Sequence, residues 1–556
     1  MIYESIMLNT RPIRIGNVSG ATGDHPQAML RMAQHGNVDV IVGDWLSEMN
    51  IAWNAITKSQ DPDLGYEPGF LAQLSDCLDI VVAKDIKVVA NAGALNTSSL
   101  MQKVCALCKE RGHSKVIVAS VLGDDISEPI QKKEPGFQDL HHLDHDEWKL
   151  KDWPLKPHCA VAYIGAWGIV EALNAGADIV ICGRVTDASP VISAAAWWYR
   201  WQRDAWDELA GALVAGRMYD SLLDLTDMLL TTIAIDLIEC GPYVTGANFS
   251  GFKPLLPNLV DLSFPIAEIS PDGSCIITKC EAYGGAVTKF NTIAQLLYEL
   301  QGELYLNPDV ATDLRNVSVD EIGPGRVRVY GAIGQPPPPT TKAMIAAPGG
   351  YQAEAIFYIN GLDVNEKAEM LRNQLDHALR GNGFCKLSIE LYGSPAINPS
   401  SQQAGTGAPS APVTRIYPIQ RPSYETKIPI PLSQFGAKEA APLGSIVHAR
   451  SGDKGDNSNL GFFVRNSDEY PWLQSFLTVD RFKELLGDDW PKRENEPRAE
   501  RCEFPKLLAV HFRVLDFLDG GIASSSRIDG LGKGIGEYLR SRVVDIPKKF
   551  LERGWI

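Results

Sequence analysis

The chain has 556 residues, with 52 Lys and Arg against 68 Asp and Glu, a formal net charge of −16. Binding a nucleic-acid backbone or an anionic lipid surface takes clustered cations; pairs such as Lys132-Lys133 and Lys548-Lys549 are isolated and have acids nearby, so both partner classes are excluded. At 45% hydrophobic and 22% charged, the composition is that of a globular chain with a large core, long enough for about three or four domains.

The first residues reach only a short apolar-leaning stretch before Arg11, too short and acidic for a signal peptide. The longest apolar run, Cys159 to Val170, has twelve residues, below the roughly 18 of a transmembrane helix. A cytoplasmic protein with reduced thiols and no membrane insertion is expected. Cys105-x-x-Cys108 has no second pair to complete a zinc site and reads as two thiols on a helix.

In chain order, β-branched runs at Ile13–Val18, Val38–Val42, Ile86–Ala90, Val116–Val121 and Ile179–Cys182 alternate with helical patterns at Pro26–Gln34, Gly69–Ala83, Leu100–Arg111 and Ala160–Ala175. Continuous apolar strands joined by amphipathic helices predict an α/β domain, its parallel sheet covered on both faces, over residues 1–224. Ligands of such sheets bind beyond the carboxyl ends of the strands. The five ends carry Ser19-Gly20-Ala21-Thr22-Gly23-Asp24, then Gly43-Asp44 with Glu48, then Asn91 to Asn96, Gly123-Asp124-Asp125, and Gly183-Arg184-Val185-Thr186-Asp187. Asp24 is placed to cap the next helix, and Asp44 and Glu48, four apart, are expected on one helical face. The Ser19–Asp24 turn has the character of a phosphate-cradling loop without a nucleotide fingerprint. Each polar residue could be a helix cap by itself; five such loops together predict a site on one rim.

Residues 225–394 read as an α+β portion, with a β-type run Thr231–Ile238 leading to Glu239 and Cys240, the turn-rich Thr245 to Phe252, a helix at Ile293–Leu300, and strands at Val327–Tyr330 and Ala355–Ile359. Cys240 has no His close in sequence and reads as a buried structural thiol rather than a nucleophile. The proline run 336–339 reads as a rigid loop. Residues 395–431 hold eight prolines and a Ser/Gly-rich piece and read as a linker. Residues 432–556 predict a small ferredoxin-like α+β domain: strand Ser445–Ala449, a charged loop Arg450–Asn459, strand Leu460–Val464, helix Trp472–Leu486, strand Leu507–Leu515 and helix Lys533–Val543. The glycine-rich stretch Gly520–Gly530 has the character of an oxyanion nest.

Several stretches resemble the acyclic terpene utilisation family: Arg14-Ile15-Gly16-Asn17-x-Ser19-Gly20-x-x-Gly23-Asp24, Gly43-Asp44-Trp45-Leu46-x-Glu48, Asn91-Ala92-Gly93-Ala94-Leu95-Asn96, Cys182-Gly183-Arg184-Val185-Thr186-Asp187-Ala188, Glu239-Cys240 with Val244-Thr245-Gly246-x-Asn248-Phe249-Ser250-Gly251, Gly284-Gly285-Ala286-Val287-Thr288, and Arg450-Ser451-Gly452-Asp453-Lys454-Gly455-Asp456 with Asn459. The resemblance implies an α/β domain followed by a ferredoxin-like domain. It also implies a place in the breakdown of citronellol- and geraniol-type terpenoids through acyl-CoA intermediates. The long Pro/Ser linker is more than a catabolic enzyme of this type needs, and fungal-type members, which the chain resembles, extend into other pathways including secondary metabolism, so a terpene substrate is not implied by family alone.

The chain lacks G-x-S-x-G, H-E-x-x-H, a Walker loop and a dinucleotide fingerprint. What remains is proton transfer by Asp44, Glu48, Asp124, Asp187, Glu239 and Lys454. Substrate binding falls to Ser19, Gly20, Asp24, Asn91, Asn96, Arg184, Thr245, Asn248, Arg450, Asp453, Asp456 and Asn459, with Arg184 expected to grip a carboxylate or phosphate through two parallel hydrogen bonds. The expectation is a cofactor-independent acid–base enzyme (lyase, hydratase or hydrolase), by default a homo-oligomer, acting on a carboxylated or thioester-type acyl compound. Mg²⁺ or Ca²⁺ held by Asp24, Asp44, Glu48 and Asp124 is the one refinement. The rival from another class is a non-catalytic acyl-binding or scaffold subunit.

Overall fold

A computed structural model describes residues 10–20, 22–145, 147–217, 241–349, 366–367, 370, 413–418, 421–491, 497–518, 520–521, 525 and 529–556. Five strands, β1 (Ile13–Asn17), β2 (Val40–Gly43), β3 (Lys87–Ala90), β4 (Val118–Val121) and, after β5 (Cys159–Ala162), β6 (Ile179–Cys182), fall on the five runs legible in the sequence. They form a parallel array in the order β1-β2-β3-β6-β4. Val40, Ile41, Val88, Val89, Val180 and Ile181 are all buried, because helices cover both faces. Next come β7 (Pro265–Ile269), β8 (Cys275–Lys279), β9 (Leu304–Leu306), β10 (Ala311–Asp313), β11 (Ser318–Gly323) and β12 (Arg326–Tyr330). The sheet reverses at β1, whose free edge pairs antiparallel with β7; β8, β12 and β11 continue it, giving nine strands among the described residues. A second small sheet joins β13 (Ile333–Gln335) to β10 and β9.

The apolar run at Cys159–Val170 is a strand followed by a helix, where the sequence predicted one helix over 160–175. β5 pairs antiparallel with β14 (Ala343–Ala346), and the helix starts only at Trp167. An apolar stretch of this length suits a buried strand and a buried helix equally, and the pairing with a remote segment decides. The β-type run 231–238, Glu239, Cys240 and the run 355–359 lie outside the described residues. Cys105 and Cys108 are both free thiols on the helix Thr97–Glu110.

The C-terminal domain is ferredoxin-like. After β15 (Lys438–Pro442) come β16 (Val447–Lys454), β17 (Asn457–Val464), β18 (Arg498–Phe504), β19 (Ala509–Leu515) and β20 (Val543–Pro547). Four of them form an antiparallel sheet in the order β16-β17-β19-β18, and β15 pairs with β20 beside it. The stretch Arg450–Asn459, expected as a loop, is the tip of the β16–β17 hairpin, paired from Val447–Val464 to Lys454–Asn457. Its polar residues hid the strand pattern. The helix predicted over Trp472–Leu486 is two, Tyr470–Phe476 and Val479–Leu486, because the Thr478 side chain caps the second by accepting from the Arg481 amide.

This domain lies directly on the first. Glycines at 452 and 461 leave room for Tyr298 and Leu297 of the helix Lys289–Glu299, where a Cβ would overlap either side chain. Asn459 Nδ2 donates to the Leu300 carbonyl at 2.5 Å, and Phe463, Phe504 and Leu507 join the same apolar cluster as Ile13, Val42 and Leu297. His448 stacks among Phe249, Phe290 and Phe463 with Nδ1 3.1 Å from Ser250 Oγ. On the far side Asp144 bonds Arg513 and Asn457. Within the segment read as a linker, residues 421–431 bridge the two domains: Arg421 Nη1 donates to the Leu304 carbonyl at 2.7 Å, and Thr426 Oγ1 to Glu503 Oε1 at 2.6 Å.

Candidate functional site

The parallel strands deliver their carboxyl ends to one rim, and the chain across that rim is β5. The Ala162 amide donates to the Asp124 carbonyl at 2.7 Å and the Ile164 amide to the Arg184 carbonyl at 3.3 Å, so Tyr163 is held over the loops that follow β4 and β6. β14 adds Lys342, whose carbonyl accepts from the Tyr163 amide at 2.9 Å.

Asp44 leaves β2 in a fixed pose. Its amide donates to the Ser19 carbonyl at 3.0 Å, its Oδ1 accepts from the Leu46 amide at 3.0 Å, and Asn91 Nδ2 donates to the same oxygen. Asn91 Oδ1 accepts from the Trp45 amide at 2.7 Å, which orients the amide group. Ser47 caps the next helix, so Glu48 is its first residue and Asp44 lies before it. The two carboxylates therefore do not share a helical face; they converge because Arg184 and Tyr163 lie between them. Arg184 Nη1 is 2.7 Å from Asp187 Oδ1 and 3.7 Å from Asp44 Oδ1, and the Tyr163 hydroxyl donates to Glu48 Oε1. The Tyr163 ring is contacted by two cations, the Arg184 guanidinium at 4.2 Å and the Lys342 ammonium at 4.1 Å.

Burial and the neighbouring Asp187 push the Asp44 carboxyl up to about 8, against Arg184, Asn91 and the Leu46 amide. Burial also raises Glu48, but Lys342, Arg184 and the Tyr163 hydroxyl outweigh it and hold this carboxyl below its ordinary value. The two carboxyls are displaced in opposite directions, and carboxyls driven apart in this way provide an acid and a base. One oxygen of each, Asp44 Oδ2 and Glu48 Oε2, is buried with no hydrogen-bond partner among the described residues.

Asp124 supports the rim from behind. Its Oδ2 accepts from the Arg184 amide at 2.6 Å, and burial pushes its carboxyl up to about 6. It presses on Gly183 so closely that a Cβ there would overlap the carboxylate. Gly183→Ala is expected to cost about 1–3 kcal/mol of stability, read as a lower denaturant midpoint.

The hairpin tip of the other domain approaches the same rim. Asp453 is fully buried with neither carboxylate oxygen bonded among the described residues; burial pushes its carboxyl up to about 6 against Lys533 and Lys454, and the charge of Glu48 adds to the rise. Lys454 Nζ is 2.5 Å from Oε2 of the buried Glu299. The Arg450 guanidinium lies against two rings, 4.5 Å from Tyr243 and 4.6 Å from Tyr298.

Other expected site residues hold the fold. Gly20 donates its amide to Asp24 Oδ2 at 2.5 Å, so the turn binds the chain's own carboxylate, and the next helix begins at Ala28 after Gln27 rather than at an Asp24 cap. Asp456 Oδ1 likewise accepts from the Gly520 amide at 2.7 Å, at the start of the glycine-rich stretch read as a nest. Asn96 Nδ2 donates to the Pro62 and Leu64 carbonyls, and Thr245 Oγ1 bonds the Pro242 and Ser263 carbonyls. Asn248 takes a left-handed turn at φ 48°. Asp24, Asp44, Glu48 and Asp124 are not gathered into one ligand set, and no group of three or more His, Cys, Asp or Glu among the described residues is placed to hold a metal ion.

Residues 13–412 match the model of the acyclic terpene utilisation family protein AtuA, and residues 441–545 match that of the AtuA ferredoxin-like domain. The chain belongs to the acyclic terpene utilisation family. No curated protein and no solved structure matches it. Tyr163 and Lys342 are residues at this candidate site of the AtuA-family chain that sequence reasoning missed. The tyrosine follows a strand hidden in an apolar run, and the lysine precedes one with no legible pattern. Among the described residues no helix is long and apolar enough to cross a membrane.

Proposed function

We propose that the chain is an acid–base enzyme of the lyase, hydratase or hydrolase type, independent of a cofactor, acting on a carboxylated or thioester-type acyl compound of terpenoid or secondary metabolism. The observation that carries the reading is the pair Asp44 and Glu48, displaced in opposite directions within one buried cluster. In the elimination direction Glu48 takes the proton from the carbon next to the carbonyl, the bond to the leaving oxygen breaks, and Asp44 gives its proton to that oxygen. Hydration runs the same steps in reverse. A positioned acid or base of this kind contributes about 10²–10⁴ in rate.

The purified full-length chain, incubated with a panel of free-acid and coenzyme A acyl compounds differing by water, is expected to convert at least one without a partner protein, followed by mass spectrometry. Tight binding of an acyl compound with no turnover would instead make the chain a scaffold or carrier subunit.

A further inference from the structure

Arg184, the arginine expected to grip a substrate anion, is already engaged: Asp187 and Asp44 face its guanidinium and its backbone amide is held by Asp124. The hairpin arginine is in the opposite condition. Arg450 is 4% exposed; its Nη1 donates to the Ser451 carbonyl at 3.0 Å, and its Nη2 is buried with no partner among the described residues. The rings of Tyr243 and Tyr298 lie 4.5 and 4.6 Å from its guanidinium and favour its charge. A buried donor of a charged group without an acceptor is costly, and the natural acceptor is an oxyanion, which forms a short charge-assisted bond. Two further cations lie against the same rings, Lys454, paired with Glu299, with its Nζ 4.6 Å from the Tyr298 ring, and Lys533, its Nζ 5.5 Å from the Tyr243 ring.

Resting on the reading above, we infer that Arg450, flanked by Lys454 and Lys533, is the anion subsite of the same cleft, and that the substrate carries a carboxylate or phosphate group remote from its reacting carbon. On this inference the reacting end lies at Asp44 and Glu48 and the anionic end at the hairpin, where Asp453 feels the charge of Glu48. The substrate is thus a bifunctional acid rather than a plain terpenoid alcohol or hydrocarbon, and the ferredoxin-like domain supplies half of its recognition.

Calorimetric titration of the full-length protein with succinate, inorganic phosphate and neutral succinamide tests this without needing turnover. Saturable binding of succinate, of phosphate or of both, with none of succinamide, is expected; which anion binds tells carboxylate from phosphate. Arg450→Met, which keeps an apolar stem between the rings, should weaken that binding about tenfold or more, while Asp44→Asn should leave it unchanged. Where Arg450→Met does not fold, Arg450→Lys, which keeps the charge and loses the planar fork, should weaken it several-fold. Absence of saturable anion binding, or wild-type affinity in the folded Arg450 variant, overturns the inference. Asp44→Asn with full turnover would sink the acid–base reading and leave the anion subsite standing.

Discussion

Asp44→Asn and Glu48→Gln should each lower kcat by about 10²–10⁴ while the protein stays folded. Both substitutions preserve shape, and each removes a proton donor or acceptor from a pair that Arg184 and Tyr163 hold in place. The pH dependence follows from the opposite displacements. Asp44 acts protonated, so activity falls as the pH rises through about 8; Glu48 acts ionised, so activity falls as the pH drops through a value below the ordinary carboxylate range. In Asp44→Asn the basic limb of kcat/KM should vanish along with most of the rate.

The same substitution has a signature in stability. Folding raises Asp44 above its unfolded value, so the folded chain holds a proton that the unfolded chain releases. The associated stability is complete below about pH 4 and declines as the pH rises through about 8. An asparagine never ionises, so Asp44→Asn should melt above the parent at pH 8, with a shallower decline between these limits. A variant that loses turnover and gains stability would mark Asp44 as a group kept for chemistry at the expense of the fold.

Arg184→Met should cost about 3–5 kcal/mol, because removing one member of a buried ionic cluster leaves the others without compensation. Arg184 is 2% exposed and faces Asp187 and Asp44, with the charge of Glu48 also favouring its protonated form. The contrast is Arg111→Met, whose partner Asp79 is 60% exposed and whose loss should cost less than about 1 kcal/mol. Denaturant midpoints of the two variants separate these scales. Adding Asp187→Asn to Arg184→Met should recover part of the loss, since it removes one of the stranded charges. Full parental stability in Arg184→Met would mean that the cluster is not held by its arginine.

The parallel half of the large sheet was legible because its strands are uniformly apolar and each ends in a polar turn, and that pattern also pointed to Asp44, Asn91, Asp124, Arg184 and Asp187 at one rim. Tyr163 and Lys342 were not legible. Their positions depend on β5 pairing with β14, a contact between distant segments that leaves no local periodicity. The hairpin tip was misread for a different reason. Arg450, Asp453 and Lys454 look like a solvated loop, yet they are buried or half-buried strand residues, and Tyr298 and Glu299 of the other domain receive Arg450 and Lys454. Polar residues at a buried interface between domains imitate a surface when read one segment at a time. The turns at Gly20–Asp24 and Asp456–Gly520 show the converse: amides suited to an external anion are satisfied by the chain's own carboxylates.

The hairpin seated on the helix Lys289–Glu299 also sets an order of events during synthesis. The rim, with Asp44 and Glu48, emerges from the ribosome well before Arg450 and Asp453, and the glycines at 452 and 461 let the hairpin fit closely against Tyr298 and Leu297. On the reading proposed here, a chain interrupted after its first domain carries proton-transfer groups with nothing to hold a substrate against them. On that reading, turnover needs both domains.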